Sequence, residues 1–433
     1  MKKFNTSPIS GMQELLPGLQ TEFDRLKAGI EEAFHRHGYQ HIETPTIDRT
    51  EILLAKAGGD TEKQIYKVVK TAETADDADQ ALRFDHTVPL ARYTVEHTND
   101  LAFPFKVTQV GRNFRGERAQ KGRFREFYQC DVDVIGWGKL PFGYDADVIS
   151  TLIDALKILP LPGDGFLVRI SNRKLLSGLL ASMNLEQHAT DIFSIIDHAE
   201  KVSTETTQKA FTDLGIGSEN VVKITTFMEI RGSRKDVVGK LLALENSNET
   251  FVAGVNELAI VLELLEGQGL GNVITADMLI VRGLDYYTGT VFETIVPDHR
   301  EIGSICGGGR YENLAGNYTT QAMPGVGGSI GLTRLFYLLQ NYGIVQASEL
   351  KPVDICVIPF GESEIPAANK LAEKLRTAGK SVDLEYAGKG LGDKMKYASR
   401  VANYAIVVGE NEVRSGKYMI KDLTTGESEE LVF

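Results

Sequence analysis

Asn113–Gly136 reads NFRGERAQKGRFREFYQCDVDVIG, and its pattern decides what kind of fold this chain can adopt. Gly116 and Gly122 frame a loop that holds Glu117, Arg118, Gln120 and Lys121. Beyond the loop the side chains alternate with period two, as they must along a strand. Arg123, Arg125, Phe127, Gln129, Asp131 and Asp133 fall on one face; Phe124, Glu126, Tyr128, Cys130, Val132 and Val134 fall on the other. The first face is too polar for a core and too regular for a loop. A solvated strand laced with surface ion pairs is one way to read it. The other is a β-hairpin, Arg112–Asp133, built to hold a nucleotide, because the guanidinium fork donates two parallel bonds to phosphate.

Working outward, Phe103–Gly136 is predicted as two strands around that loop, followed by a helix over Asp145–Leu159. On the N-terminal side, Leu19, Phe23, Leu26, Ile30, Ala33 and Phe34 recur at helical spacing and predict an amphipathic helix ending near Gly38. His35, His37 and His41 cluster at its end; placement at a helix C-terminus explains them, with a metal site as the alternative. An extended stretch over Tyr39–Pro45, a helix from about Asp48, a polar loop over residues 71–80, a short strand over Leu82–Asp85 and a helix over Val88–Glu96 follow. Between Arg173 and Gly269 proline is absent and the apolar residues take a 3.6-residue period, which predicts an inserted, mostly helical segment. From Asp354 onward, strands near 354–359, 381–386, 404–408 and 416–422 alternate with helices over 364–378 and 391–401, the pattern of a compact α/β domain.

Three further stretches carry chemistry. VRGLDYYTGTVFET (Val281–Thr294) places Arg282 ahead of a tyrosine pair; sheet packing alone could account for it. GSICGGGRYENL (Gly303–Leu314) has three successive glycines, which allow close backbone approach to a ligand or a simple turn; it is not a phosphate loop of the G-K-[ST] type. GVGGSIGLTRLF (Gly325–Phe336) runs from small residues into Arg334 at the start of a helix, where helix N-terminus and arginine both favour an anion; a glycine-rich packing contact is the alternative.

The 433 residues are enough for roughly two to four domains, and 42% hydrophobic with 24% charged residues is ordinary for a soluble globular chain. A formal net charge of −12 argues against coating nucleic acid through a generally basic surface, though local basic patches remain possible. Three scattered cysteines, Cys130, Cys306 and Cys356, fit thiols in a reducing cytosol. The N-terminus has no apolar core of the kind a secretory signal needs, and no apolar run is long enough to span a membrane, so a cytoplasmic protein is expected.

Together with LRFDHTVPLARY at 82–93, these four stretches resemble the histidyl-tRNA synthetase family of class II aminoacyl-tRNA synthetases over nearly the whole chain. Val281–Glu293 and Gly308–Tyr311 resemble its own signatures. The arginine hairpin and Gly325–Arg334 resemble the broader class II motifs 2 and 3, and Pro45 the motif 1 proline at a dimer interface.

The resemblance implies an α+β fold: an antiparallel-sheet catalytic core (1–172 and 270–342), a helical insertion (173–269) and a C-terminal α/β anticodon-binding domain (351–433). It implies ATP-dependent conversion of histidine to histidyl-adenylate, then transfer to histidine tRNA, by a cytoplasmic homodimer with no membrane partner. ATP is the co-substrate and Mg2+ bridges its phosphates; no protein-ligated structural metal is expected. Residue by residue, Asp85 would hold the substrate α-amino group with Thr87 beside it. Gln129 would contact the amino acid near its reacting end, and Asp133 and Tyr287 would read the imidazole with Tyr286 lining the pocket. Arg115 and Arg282 would be the catalytic pair at the α-phosphate, while Arg123 and Arg334 would clamp the outer phosphates of ATP. Arg118 and Lys121 on the hairpin loop, expected to be mobile, and Lys389, Lys394, Lys396 and Arg400 would touch tRNA, with Tyr397 interleaved.

The chain departs from the common bacterial pattern at several places. Asp85 and Asp133 stand where glutamates are usual, Gln13-Glu14 where Arg-Asp or Asn-Asp is common, and Thr333 where a glutamate adjoins the motif 3 arginine. His86 receives no role. The competing expectation is a non-catalytic paralogue, the regulatory subunit of ATP phosphoribosyltransferase, which typically lacks the C-terminal domain and the signature arginines and tyrosines.

Overall fold

A computed structural model describes residues 4–54, 62–72, 74, 78–120, 122–163, 165–281, 286–388 and 390–431. The chain forms two compact units, residues 1–347 and 348–433. Arg282, Lys121, Lys389 and part of the polar stretch 71–80 lie outside the described residues.

The first unit opens with helix α1 (Pro17–Arg36), whose Phe23, Leu26, Ile30, Ala33 and Phe34 are buried along one face. Proline begins this helix and Gly38, at φ +80°, ends it, each the residue suited to its end. There follow β1 (Gln40–His41), β2 (Ile47–Arg49), α2 (Thr50–Leu54), β3 (Lys67–Val68), β4 (Gln80–Leu82) and α3 (Thr87–Glu96). Next come the long hairpin β5 (Phe105–Phe114) and β6 (Glu126–Ile135), α4 (Gly143–Lys157) and β7 (Leu167–Asn172). The helical segment contains α5 (Arg173–Ser182), α6 (Ala189–His198), α7 (Thr204–Asp213), α8 (Ser218–Met228), β8 (Arg231–Gly232), α9 (Arg234–Leu242) and α10 (Glu249–Gly267). The unit finishes with β9 (Ile274–Asp277), β10 (Thr290–Ile295), β11 (Cys306–Tyr311), β12 (Gly325–Ile330) and α11 (Leu332–Asn341).

Among the described residues nine strands form one sheet in the order β1-β5-β6-β12-β11-β10-β7-β9-β8. From β5 through to β7 every neighbouring pair is antiparallel. Period two along β6 sorts its side chains as expected: Cys130, Val132 and Val134 are fully buried in the main core, under α1, α4 and α11. Asp131 and Asp133 face the other way. On β11 and β12, Gly308 and Gly327 sit so close that a methyl group on Gly308 would lie 2.1 Å from the Gly327 carbonyl oxygen. Only glycine lets the strands keep that approach.

Two local expectations need correction. The strand expected over Leu82–Asp85 stops at Leu82. There the chain leaves the sheet because Asp85 turns back to accept the Val88 N–H at 3.0 Å and so starts α3. The segment expected to be mostly helical also supplies β8, which pairs with β9 and extends the sheet. Two residues including a glycine leave too short a pattern to read as a strand.

The second unit holds β13 (Val353–Pro359), α12 (Ile365–Thr377), β14 (Val382–Leu384), α13 (Leu391–Val401), β15 (Ala402–Val408), α14 (Glu410–Ser415), β16 (Met419–Asp422) and β17 (Ser428–Glu430). Its sheet order is β14-β13-β15-β16-β17, parallel among the first three strands. The central strand β13 is buried on both faces: Ile355 and Val357 pack with α12 residues, while Cys356 and Ile358 pack with Ala398 of α13. This accounts for the unbroken apolar run ICVIP over Ile355–Pro359.

Candidate active site

The face of the large sheet opposite α1 carries two adjoining cavities. One, of about 360 Å³, is lined by Asp85, Thr87, Gln129, Asp133, Tyr286 and Tyr287, with Arg115 and Asp131 at its boundary. All six residues expected around an amino-acid substrate therefore share one wall set. The other, of about 350 Å³, is lined by Arg115, Arg123 and Arg334, together with Glu117, Phe127 and Gly331. Arg115, Gln129, Ser304, Gly307 and Ser329 border both.

The first cavity is an acidic box. Asp85, Asp131 and Asp133 are all buried. Burial pushes the Asp133 carboxyl well above the usual carboxylate range, and the neighbouring Asp131 charge adds to the effect. Asp85 is raised for the same first reason, opposed by the Val88 N–H that it caps and by the Arg115 charge. Tyr311 donates to Asp133 Oδ1 at 2.9 Å, and Tyr286 lies 3.4 Å from Asp85 Oδ2. Tyr286 and Tyr287 meet edge to face at 5.0 Å between centroids, and the Tyr287 ring lies against Gly309, where any side chain would collide with it. Burial raises the phenols of Tyr286, Tyr287 and Tyr311, so they remain hydrogen-bond donors at neutral pH. Such a box accepts a ligand with cationic or N–H groups at both ends and rejects one that leaves its carboxylates unpaired.

The second cavity is cationic. Arg115 is clamped between Phe84, at 4.3 Å, and Phe127, at 5.0 Å, and donates to the Phe84 carbonyl at 3.3 Å. Burial lowers its pKa, which Asp85 and Glu117 partly restore. Arg123 pairs with Glu117 at 3.1 Å across the hairpin loop, and Arg334 donates to the Ser304 carbonyl at 3.2 Å from the first turn of α11. Aromatic clamping and a backbone bond hold the Arg115 fork pre-oriented, and a backbone bond holds that of Arg334, so these two need not be ordered when an anion arrives, while Arg123 is held by its pair with Glu117.

Several contributors escaped the sequence reading. Tyr311 belongs to Gly-Gly-Arg-Tyr, yet nothing in the sequence says that its hydroxyl meets Asp133. Its neighbour Arg310 is structural: 2% exposed, it grips fully buried Asp145 of α4 and so ties that helix to β11. Thr333 accepts the Tyr128 N–H at 2.7 Å and fixes the start of β6 to α11. His86 is buried with Nδ1 2.9 Å from Asp131 Oδ2.

In the second unit Lys396 and Arg400 are exposed on α13. Lys394 is not: it is 8% exposed and its ammonium donates to the Pro359 carbonyl at 2.8 Å. Its stem crosses the mouth of β13 and the cation is spent on backbone, so it presents no charge to solvent. The half-exposed Tyr397 donates to Asp383 at 2.8 Å.

An antiparallel sheet bearing an arginine hairpin, beside a glycine-rich strand that runs into a helix opening on Arg334, defines a class II aminoacyl-tRNA synthetase core. The family model for histidyl-tRNA synthetase matches residues 11–335, and that for an anticodon binding domain matches residues 354–433. A histidine–tRNA ligase of Clostridium tetani is 40% identical over 436 residues, spanning 100% of this chain and 97% of its own. The crystal structure of a histidyl-tRNA synthetase from Nostoc sp. PCC 7120 superposes with TM-score 0.83 at 37% identity, covering 99% of this chain and 97% of its own. A Bacillus halodurans structure described as an ATP phosphoribosyltransferase regulatory subunit/histidyl-tRNA synthetase has TM-score 0.76, covering 94% of this chain and 98% of its own; at 23% identity it shares the fold alone. The chain belongs to the histidyl-tRNA synthetase family. No helix among the described residues is long and apolar enough to cross a membrane.

Proposed function

We propose that this chain activates histidine with ATP and transfers the histidyl group to histidine tRNA. The observation that carries this reading is the adjacency of the acidic, tyrosine-lined box and the arginine-lined cavity, with Arg115 and Gln129 on their common border. Asp85 and Thr87 take the α-amino group, Asp133 and Tyr287 the imidazole, Tyr286 closes the box, and Gln129 steers the carboxylate toward the shared border. A carboxylate oxygen attacks the α-phosphorus of ATP and the bond to pyrophosphate breaks. The nucleophile is already ionised, so positioning and charge neutralisation do the work and no strong general base is needed. Arg115 and Arg282 neutralise charge at the α-phosphate; Arg123 and Arg334 hold the outer phosphates.

The magnesium that accompanies ATP supplies further neutralisation of phosphate charge when bound. Glu117, which lines the arginine cavity, and Glu293, which lines a neighbouring cavity together with Arg123 and Arg334, are the carboxylates that would meet its water shell. We assign residues 1–172 and 270–342 to catalysis, 173–269 to a helical insertion and 351–433 to anticodon binding. Arg118, Lys121, Lys389, Lys396 and Arg400 are the candidate tRNA contacts. Homodimerisation in the cytoplasm completes the reading, with exposed Pro45 and Ile47 beyond β1 available for the interface.

The paralogue reading is disfavoured by the full-length 40% match to a histidine–tRNA ligase and by residues 354–433. A charging assay tests the proposal: purified protein, ATP, magnesium and histidine are expected to acylate histidine tRNA. Failure of well-folded protein to do so would remove it.

A further inference from the structure

Beneath the floor of the acidic box, one chain of hydrogen bonds runs from a residue without any assigned role to Gln129. His86 Nδ1 meets Asp131 Oδ2 at 2.9 Å. Ser329 donates its hydroxyl to Asp131 Oδ1. Gln129 Nε2 donates to Ser329 Oγ at 2.7 Å, and Gln129 Oε1 accepts from Asn113 Nδ2 at 2.8 Å. His86 is 1% exposed, Asp131 4% and Asn113 0%, so the inner end of the chain is made away from bulk water, while Gln129 and Ser329 at its outer end line the cavities.

The direction of each bond follows from Asp131. A carboxylate only accepts. The ring nitrogen facing it must therefore carry hydrogen, and so must the Ser329 hydroxyl. A serine that has spent its hydrogen accepts from Gln129, which forces the Gln129 amide to present nitrogen to Ser329 and oxygen to Asn113. Asn113 Nδ2 also lies 3.4 Å from His86 Nδ1, and its shorter bond goes to Gln129.

Backbone contacts lock His86 in place. Its carbonyl accepts from Gln109 Nε2 at 3.3 Å, and Gln109 Oε1 is itself held by the Thr44 hydroxyl at 2.8 Å. The far edge of the ring, Nε2, has no hydrogen-bond partner among the described residues and is packed toward Gly111, where an added methyl group would meet it at 3.3 Å and the Arg83 guanidinium at 2.7 Å. A buried imidazole that leaves one nitrogen unpaired is costly, and an apolar side chain would avoid that cost. The bond to Asp131 is what the ring gains.

We propose that His86 is a positioning residue for histidine activation: by donating to Asp131 it fixes the amide orientation of Gln129 and thereby the binding of the amino acid. This rests on the reading of the acidic box as the histidine site. Removing the donor leaves Asp131 Oδ2 unsatisfied and its carboxyl free to turn, so the acceptor that holds the Ser329 hydroxyl is no longer fixed and Gln129 can flip its amide.

Histidine-dependent pyrophosphate exchange, with KM measured separately for histidine and ATP, tests the proposal. His86→Leu is expected to raise the histidine KM on the order of tenfold or more, the cost of a lost bond to a charged partner, while leaving the ATP KM unchanged. His86→Asn places an amide N–H where Nδ1 stands and is expected to restore most of the loss. His86→Gln, equally polar but reaching one bond too far, is expected not to, and this pair decides the matter if the leucine protein fails to fold. An unchanged histidine KM in His86→Leu, a parallel rise in both KM values, or equal impairment in the Asn and Gln variants would overturn the proposal. Absence of exchange by the wild-type protein would instead overturn the underlying reading of the box.

Discussion

Asp133 pays for its position in stability. Its carboxyl is buried, accepts from Tyr311, and titrates well above the usual range because burial and then Asp131 disfavour its charge. The folded state therefore holds its proton more tightly than the unfolded chain, whose carboxylates titrate near about pH 4. Stability is greatest below that value and falls as pH rises through the raised pKa. In Asp133→Asn the titration is gone, so the melting temperature of the variant minus that of wild type should increase with pH across this window; a difference that stays flat would show that Asp133 titrates normally. Tyr311→Phe removes the donor while keeping the ring, and is expected to weaken histidine binding on the order of tenfold with little change in ATP KM. A measured histidine KM equal to wild type would exclude the contact from recognition. At this scale the resemblance named residues that do line the cavities, Asp85, Thr87, Gln129, Asp133, Tyr286 and Tyr287 in one and Arg115, Arg123 and Arg334 in the other, while Arg282 lies outside the described residues. The sequence could not yield Tyr311, Ser329, Asn113 or His86, whose parts depend on which strands lie side by side.

Among elements, β11 and β12 set the depth of the box. A methyl group on Gly327 would fall 1.9 Å from Asp133 Oδ1, and one on Gly308 would strike the facing backbone. Gly308→Ala is expected to destabilise the protein by about 1–3 kcal/mol, the usual cost of overpacking, and Gly327→Ala to displace Asp133 and abolish histidine binding as well. Urea unfolding and calorimetric titration with histidine separate the two effects. Arg310→Ala, which strands the buried carboxylate of Asp145 in the first turn of α4, should cost about 3–5 kcal/mol in the same unfolding experiment. The hairpin, α1, α3 and the α/β alternation after 353 were legible as elements because each has a clean period and a recognisable end. The two-residue strand β8 was not, since its place is set by β9, more than forty positions later in the chain.

For the whole molecule, the proposed division of work between the two compact units is open to a direct test. Deleting residues 350–433 is expected to leave adenylate formation in place and sharply reduce charging of histidine tRNA; charging untouched by the deletion would contradict the anticodon role. Light scattering on the full chain should give twice the monomer mass of 47.6 kDa if the dimer reading holds. Composition spoke to this scale only by exclusion, whereas the resemblance carried by five short stretches supplied the architecture. The most direct test of the central claim is amino-acid-dependent exchange of pyrophosphate into ATP, run with each of the standard amino acids in turn. Exchange with histidine alone, falling on the order of 10²–10³ in Arg115→Ala, is the predicted result. No exchange with histidine, or equal exchange with another amino acid, would contradict it.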